Sequence, residues 1–237
     1  MAPRPKRKKA PPLPRLPSGA RLRAKLTVER LKEAYPAVTE LAHRDPFQLL
    51  IATILSAQTT DRSVNLVTPE LFRRYPVALD LAAADPAVVE ALIKPTGFFR
   101  AKTRSIIAAS RKLVELFDGT VPGNIDDLVK LPGIGRKTAN VILGVGFDVP
   151  GFAVDTHVKR LTNRLKLTSS KDPVKIERQV CSIVSKEEWT GLSLRLILHG
   201  RRVCIARRPR CEECILNDYC PSSRTRPKKR QVRSQAG

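Results

Sequence analysis

Residues 128–142 read LVKLPGIGRKTANVI, and the Gly133-Ile134-Gly135 step in the middle decides how the chain folds around it. Two glycines flanking one apolar residue permit a tight turn, because glycine adopts backbone angles closed to bulkier residues. Leu128 and Leu131 before the turn, and Ala139, Val141 and Ile142 after it, recur at helical spacing. The stretch therefore predicts a helix over 125–131, a turn, and a second helix over 136–146. Ile134 would anchor the turn in the core. The bare glycine backbone and the N–H groups opening the second helix would face an anion such as a phosphate. An ordinary interhelical turn is the plainer alternative, and the flanking pattern favours phosphate binding over it.

Working outward, the start and stop signals are helical almost throughout. Asp45-Pro46, Asp85-Pro86 and Asp172-Pro173 each set an N-capping acid before a proline suited to the first helical position. The first opens PFQLLIATILSAQ, with Phe47, Leu50, Ile51, Ile54 and Leu55 on one face; the second opens AVVEALIK. AKTRSIIAASRKLVELFDG repeats apolar residues at three and four and stops at Gly119, a good helix terminator. Further helices are predicted over 27–35, 60–75, 156–166, 173–185 and 189–202, and no alternating run bounded by hairpin turns predicts a strand. The fold class is all-α. Pro150-Gly151 marks a boundary, which would leave a cleft between two helical lobes.

The 237 residues carry 44 basic against 22 acidic side chains, a formal charge of +22, on a chain that is 42% hydrophobic and so able to fold. Residues 1–25 hold nine basic and no acidic residues, and 221–237 hold six and none, so most of the excess sits in two tails. Nucleic acid is the natural partner for such charge; a solvated, disordered arm is the alternative for the tails alone. No apolar run approaches the roughly 18 residues of a membrane span, and the basic N-terminus lacks the apolar core of a secretion signal. The expected location is the cytoplasm. Four of the five cysteines crowd into Cys204-x6-Cys211-x2-Cys214-x5-Cys220, which reads as a metal site in a reducing compartment.

Three features carry chemistry. Lys137 falls in the first turn of the second hairpin helix, where the helix dipole disfavours a cation and favours the neutral amine a nucleophile needs. A phosphate contact is the competing role. Asp155, in Val154-Asp155-Thr156-His157 just after the lobe boundary, reads as the N-cap of helix 156–166, and at a cleft edge it can also face a substrate. His157 reads first as a structural or backbone-contacting histidine. The four cysteines suit either zinc or an iron–sulfur cluster, and spacing alone does not decide between them. Arg201, Arg202, Arg207, Arg208 and Arg210 interleave with them, so a metal there would also fix a basic loop. Cys181, on an apolar helix face, reads as a buried free thiol.

LPGIGRKTA (131–139) resembles the helix-hairpin-helix of DNA repair proteins. Together with VDTH (154–157), the cysteine spacing, LSAQTTD (55–61) and LHGRRVC (198–204), it resembles the endonuclease III family over about residues 26–222. That resemblance implies two helical lobes astride a DNA-binding cleft. A six-helix lobe would span 39–149, and a [4Fe-4S] cluster lobe would combine 26–38 with 150–222. Residues 1–25 and 223–237 would be basic tails. It implies Cys204, Cys211, Cys214 and Cys220 as cluster ligands, Lys137 as nucleophile and Asp155 as the partnering carboxylate. Gln58 would fill the stack left by an extruded nucleotide, and Phe98 would wedge the opposite strand, unless the Gly97-Phe98-Phe99 segment is core. Gly133, Ile134, Gly135, Arg136 and His157 would contact DNA.

The implied activity is base excision by a bifunctional DNA glycosylase and AP lyase. It would remove oxidised pyrimidines from double-stranded DNA, cleave 3′ to the abasic site through a lysine Schiff base, and act as a monomer at the nucleoid. A non-catalytic or redox-sensing iron–sulfur DNA-binding module is the alternative. Adenine-excising cousins usually lack the lysine, and oxidised-purine lyases lack the cluster. The chain departs from the family pattern in its long basic N-terminal tail and in Phe where Leu is frequent at the wedge.

Overall fold

The computed structural model describes residues 15–225; the tail expectations for 1–14 and 226–237 lie outside the described residues. Eleven α-helices and two short 3-10 turns make up its regular structure, with no strand among the described residues. In chain order the helices are α1 Ala20–Ala34, α2 Pro46–Leu55, α3 Asp61–Arg74, α4 Ala78–Ala82, α5 Pro86–Ile93 and α6 Phe99–Phe117. They continue with α7 Ile125–Leu128, α8 Arg136–Gly146, α9 Thr156–Arg164, α10 Pro173–Cys181 and α11 Trp189–Arg202. None is long and apolar enough to cross a membrane.

The caps form as their residue types dictate. Asp45, Asp85 and Asp172 accept backbone N–H bonds from Gln48, Ala87 and Lys175 at 2.8 Å each, with proline opening the helix behind each one. α6 ends through left-handed Asp118 and Gly119. Two predictions need correction. α1 begins at Ala20, so residues 20–25, expected in the basic tail, are helical; Ala20 and Ala24 are buried, and Arg23 reaches the carbonyls of Leu165 and Lys166. α10 stops at Cys181 and not at 185, because Ser182 ends it while Ile183 and Val184 pack against the core from the following turn. The five-residue α4 adds one further turn to the six helices expected in its lobe.

Two separate hydrophobic cores define two lobes. One gathers residues from Leu41 to Leu143 and is built by α2 to α8; Leu50, Ile51, Leu55, Leu71 and Ile106 are fully buried in it. The other takes Ala24 and Leu31 from α1 and continues through Phe152, Val158, Leu161, Val180, Leu192 and Leu196 to Leu216. The chain thus crosses between lobes twice, at 35–45 and 147–155.

Where the lobes meet, α8 packs on α11. A Cβ at Gly144 would come within 2.4 Å of the Thr190 hydroxyl oxygen, so only glycine permits this approach. That same hydroxyl accepts from Gly151 N–H at 3.1 Å and donates to Gly151 C=O at 3.2 Å, stitching the second crossing to α11. Ionic ties add to the contact. Arg136 grips Glu177 with two bonds of 2.8 and 2.7 Å, while Arg201 bridges Asp61, at 2.8 Å, and Glu40.

Candidate active site and cysteine cluster

The hairpin forms as its sequence requires. Asn124 caps α7 by accepting from Asp127 N–H at 2.9 Å, and Ile134 N–H bonds Leu131 C=O at 3.1 Å to close the turn. Gly133 sits at φ 80°, in the left-handed region that favours glycine. Ile134 is buried, while Gly133 and Gly135 are exposed on either side of it. α8 then opens from Gly135 with no side chain capping it. Its first N–H groups lie at the positive end of the helix dipole, an arrangement that can take a phosphate.

Lys137, the second residue of α8, is exposed and makes no hydrogen bond or ion pair among the described residues. Asp155 caps α9, its Oδ1 accepting from Val158 N–H at 2.7 Å, which leaves its other oxygen uncommitted to the cap. The two residues line the same interlobe cavity, with Thr53, Ser56, Asp61 and Arg201 around them. A second opening, lined by Lys137, Asp155, Thr59, His157 and Lys159, joins this space to the surface. Asp155 is thus the cap of α9 and also lines the cleft.

His157 is half-buried, and its Nδ1 accepts from Arg160 at 3.1 Å, which leaves Nε2 as the protonated nitrogen of a neutral ring. Burial pushes its pKa below the usual value, with Asp155 opposing and Arg160 adding to the drop. Gln58, just past α2, is exposed in the left-handed region at φ 54°, and its neighbours Ser56 and Thr59 line the cleft openings. Phe98 is likewise left-handed, at φ 47°, with 67% of its surface exposed. Phe99, not Phe98, packs on the core, so the ambiguity of the Gly97-Phe98-Phe99 segment resolves with Phe98 outside.

Two arginines have partners within the protein that the sequence did not reveal. Arg136, expected against DNA, lies on Glu177, whose hydrogen bonds hold the guanidinium pKa up. Arg201 does not extend the basic loop beside the cysteines: it turns into the cleft and bridges Asp61 and Glu40. Asp61 and Glu40 are the acidic cavity residues that the sequence reading did not single out. The only signal for Asp61 was its place closing LSAQTTD.

All four cysteines of the 204–220 loop, each partly buried, line one cavity with Arg164, Val203, Pro209 and Asn217. Among the described residues no three ligands converge closely enough to hold a single ion. Four cysteines lining one space are a donor set that an iron–sulfur cluster takes. Arg164 donates to Cys204 Sγ at 3.2 Å and to the carbonyls of Ile205 and Ala206. His199 Nε2 lies 3.4 Å from Cys214 Sγ and its Nδ1 lies 3.0 Å from the Tyr35 hydroxyl. Burial pushes the Cys214 thiol up to about 11 and raises Cys220 as well, so a bound metal charge is needed to hold them as thiolates. Cys181 lies apart from this ring, on the second core, with its thiol pushed up to about 12 by burial.

Known proteins fit the same frame. Residues 51–186 match the model of the HhH-GPD superfamily of base excision DNA repair proteins, and 204–220 match the iron–sulfur binding domain of endonuclease III. Endonuclease III of Synechocystis sp. is 52% identical over 195 residues, covering 81% of this chain and 89% of the relative. That of Escherichia coli is 45% identical over 195 residues, covering 81% and 91%. Among solved structures, a non-covalent endonuclease III–DNA complex superposes with a TM-score of 0.81 at 39% identity, over 85% of this chain and 95% of that one. A trapped endonuclease III–DNA covalent intermediate gives 0.81 at 40%, over 85% and 96%. On hairpin, cleft, cysteine ring and these likenesses together, the chain belongs to the endonuclease III family, the DNA glycosylases and AP lyases of base excision repair that carry a [4Fe-4S] cluster.

Proposed function

We propose that this DNA glycosylase and AP lyase removes oxidised pyrimidines from double-stranded DNA, with Lys137 as nucleophile and Asp155 as its carboxylate. The observation that carries this is the shared interlobe cavity: an unpaired lysine and a half-committed carboxylate face one space, beside a hairpin shaped for phosphate.

The sugar C1′ of a stacked nucleotide is out of reach, so the damaged nucleotide must leave the helix, at a few kcal/mol and less where damage has weakened its stacking. Gln58 and Phe98, both exposed on left-handed backbone, are suited to fill the vacated stack and to press on the opposite strand. The neutral Lys137 amine then attacks C1′. The N–C1′ bond forms, the glycosidic bond breaks, and the base departs with the bonding pair and takes up a proton. Sugar ring opening yields an iminium, which acidifies the C2′ proton. Its removal drives the electron pair toward C3′, and the 3′ phosphodiester bond breaks by β-elimination. The free oxygen of Asp155 stabilises the developing positive charge and moves protons at the amine.

The lobes divide the work. That of residues 39–149 brings the hairpin and Lys137. That of 26–38 with 150–222 brings Asp155 and the cluster, which Cys204, Cys211, Cys214 and Cys220 would hold. When bound, the cluster ties down the loop bearing Arg207, Arg208 and Arg210 for phosphate contact. The chain works on this reading as a monomer at the nucleoid.

Borohydride should trap a covalent adduct between the protein and duplex DNA carrying an oxidised pyrimidine or an abasic site. Lys137→Gln should abolish it. Trapping that survives that substitution assigns the nucleophile elsewhere, and DNA binding with no cleavage of abasic sites by the wild type favours a non-catalytic module.

A further inference from the structure

The lobe of α2 to α8 buries a lysine that the reaction does not use. Lys102, in the first turns of α6, is only 5% exposed. No carboxylate pairs with it among the described residues; its ammonium donates to the Thr96 carbonyl at 2.7 Å. Its own backbone N–H donates to the Phe98 carbonyl at 3.1 Å. The side chain thus holds the carbonyl ahead of Gly97, whose φ is 66°, while the first ordinary bond of α6 holds that of Phe98, whose φ is 47°. Left-handed backbone is disfavoured for a side chain as bulky as Phe and persists only where surrounding bonds over-determine it.

The rest of the turn is equally fixed. Thr96 is buried, its hydroxyl donating to Ile93 C=O at 2.8 Å, and Gly97 N–H donates to Lys94 C=O at 3.2 Å. The Phe98 ring therefore projects into solvent from a turn with no slack. A cation suits its position poorly on every other count. It is desolvated, it sits at the positive end of α6, and Arg100 and Arg104 flank it in sequence. A long apolar side chain would fill the same space without those costs, so the ammonium–carbonyl bond is what distinguishes lysine there.

We propose that Lys102 is a positioning residue for strand separation: its side-chain bond to the Thr96 carbonyl holds the turn that presents the Phe98 ring to the partner strand of the duplex. This rests on the wedge role given to Phe98 above. Pre-organisation matters because a slack turn would lose its freedom at the moment of binding and weaken the step that opens the duplex. Chemistry at Lys137 is untouched by it, so the effect is confined to substrates that must be opened.

The test compares Lys102→Met, Phe98→Ala and the double variant, with two substrates: an oxidised pyrimidine in duplex DNA and an abasic site in single-stranded DNA. Each single variant should lower kcat/KM on the duplex about tenfold, the double variant no further, and borohydride trapping by Lys102→Met on the single strand should stay at the wild-type level. Gly97→Ala provides a second route to the same turn: an added Cβ meets nothing within 4 Å but is strained at that φ, so it should reproduce the duplex-specific loss without crowding the core. A Lys102→Met enzyme at wild-type level on the duplex, losses that multiply in the double variant, or an equal loss on the single strand overturns the proposal. A Phe98→Ala enzyme with wild-type duplex activity overturns the wedge role itself, and this proposal with it.

Discussion

Replacing Glu177 by Gln tests how Arg136 divides itself between the protein and DNA. Arg136 is the first residue of the hairpin's second helix, next to Lys137, and it points at the cluster lobe, where Nε and Nη2 meet the two carboxylate oxygens at 2.8 and 2.7 Å. The arginine side chain is 48% exposed and the glutamate 14%. A hydrogen bond to a charged partner contributes about 1.5–3 kcal/mol, and water around the exposed guanidinium takes this pair to the low end or below. Gln retains one acceptor oxygen, so the expected loss of stability is about 1 kcal/mol, or roughly 2–4 °C in a chain of this size. DNA binding should move the other way. A guanidinium released at the rim of a phosphate-binding hairpin gains a phosphate, which steepens the slope of log K against log salt by about 0.9. Fluorescence anisotropy on an undamaged duplex across a salt series, beside a thermal melt, measures both. A variant that loses stability with no steeper slope would show that Arg136 serves the lobe contact alone, and the reasoning about competition would be wrong.

Other expectations are more local. Gly144→Ala puts a methyl 2.4 Å from the Thr190 hydroxyl and should destabilise by about 1–3 kcal/mol, as overpacking does. Adding Thr190→Ala should recover part of that loss in a denaturant melt, and a double variant no better than the single would locate the strain elsewhere. Cys181→Ala should keep the wild-type iron content and the visible absorption of the cluster, whereas Cys211→Ser should lose most of both. Iron lost from the Cys181 variant would place that thiol in the ligand set.

Local signals in the sequence carried most of the helices and much of the site. Asp45, Asp85 and Asp172 act within three residues of themselves, so their caps were legible without knowing the fold. The hairpin was legible for the same reason. α1 was not: Arg21, Arg23 and Lys25 gave its first turns the look of a charged arm, while the residues that bury it, Ala20 and Ala24, carry little hydrophobic signal. What holds Arg23 is the carbonyl of Leu165, 142 residues away, which no local pattern reveals. The same distance effect governs Arg136 and Arg201. Each reads as a free DNA contact in sequence, and each is held by a carboxylate from another part of the chain, Glu177 in one case and Asp61 with Glu40 in the other. Phe98 and Phe99 differ by a backbone angle only, and one of them is the core residue while the other is not. Lys102 was silent because a lysine between Arg100 and Arg104 looks like part of a solvated face until its exposure is known.

The glycine contact between α8 and α11, with arginine ties at Glu177 and Asp61, has a mechanical consequence for the search along a genome. Moving the cleft walls apart would break those contacts, so bending the duplex is the alternative way of fitting substrate and cleft together. Bending or kinking intact DNA costs of order 1–6 kcal/mol, depending on how stiff the sequence is. A lesion that weakens stacking softens its own step and lowers that toll before any atom of the altered base is touched.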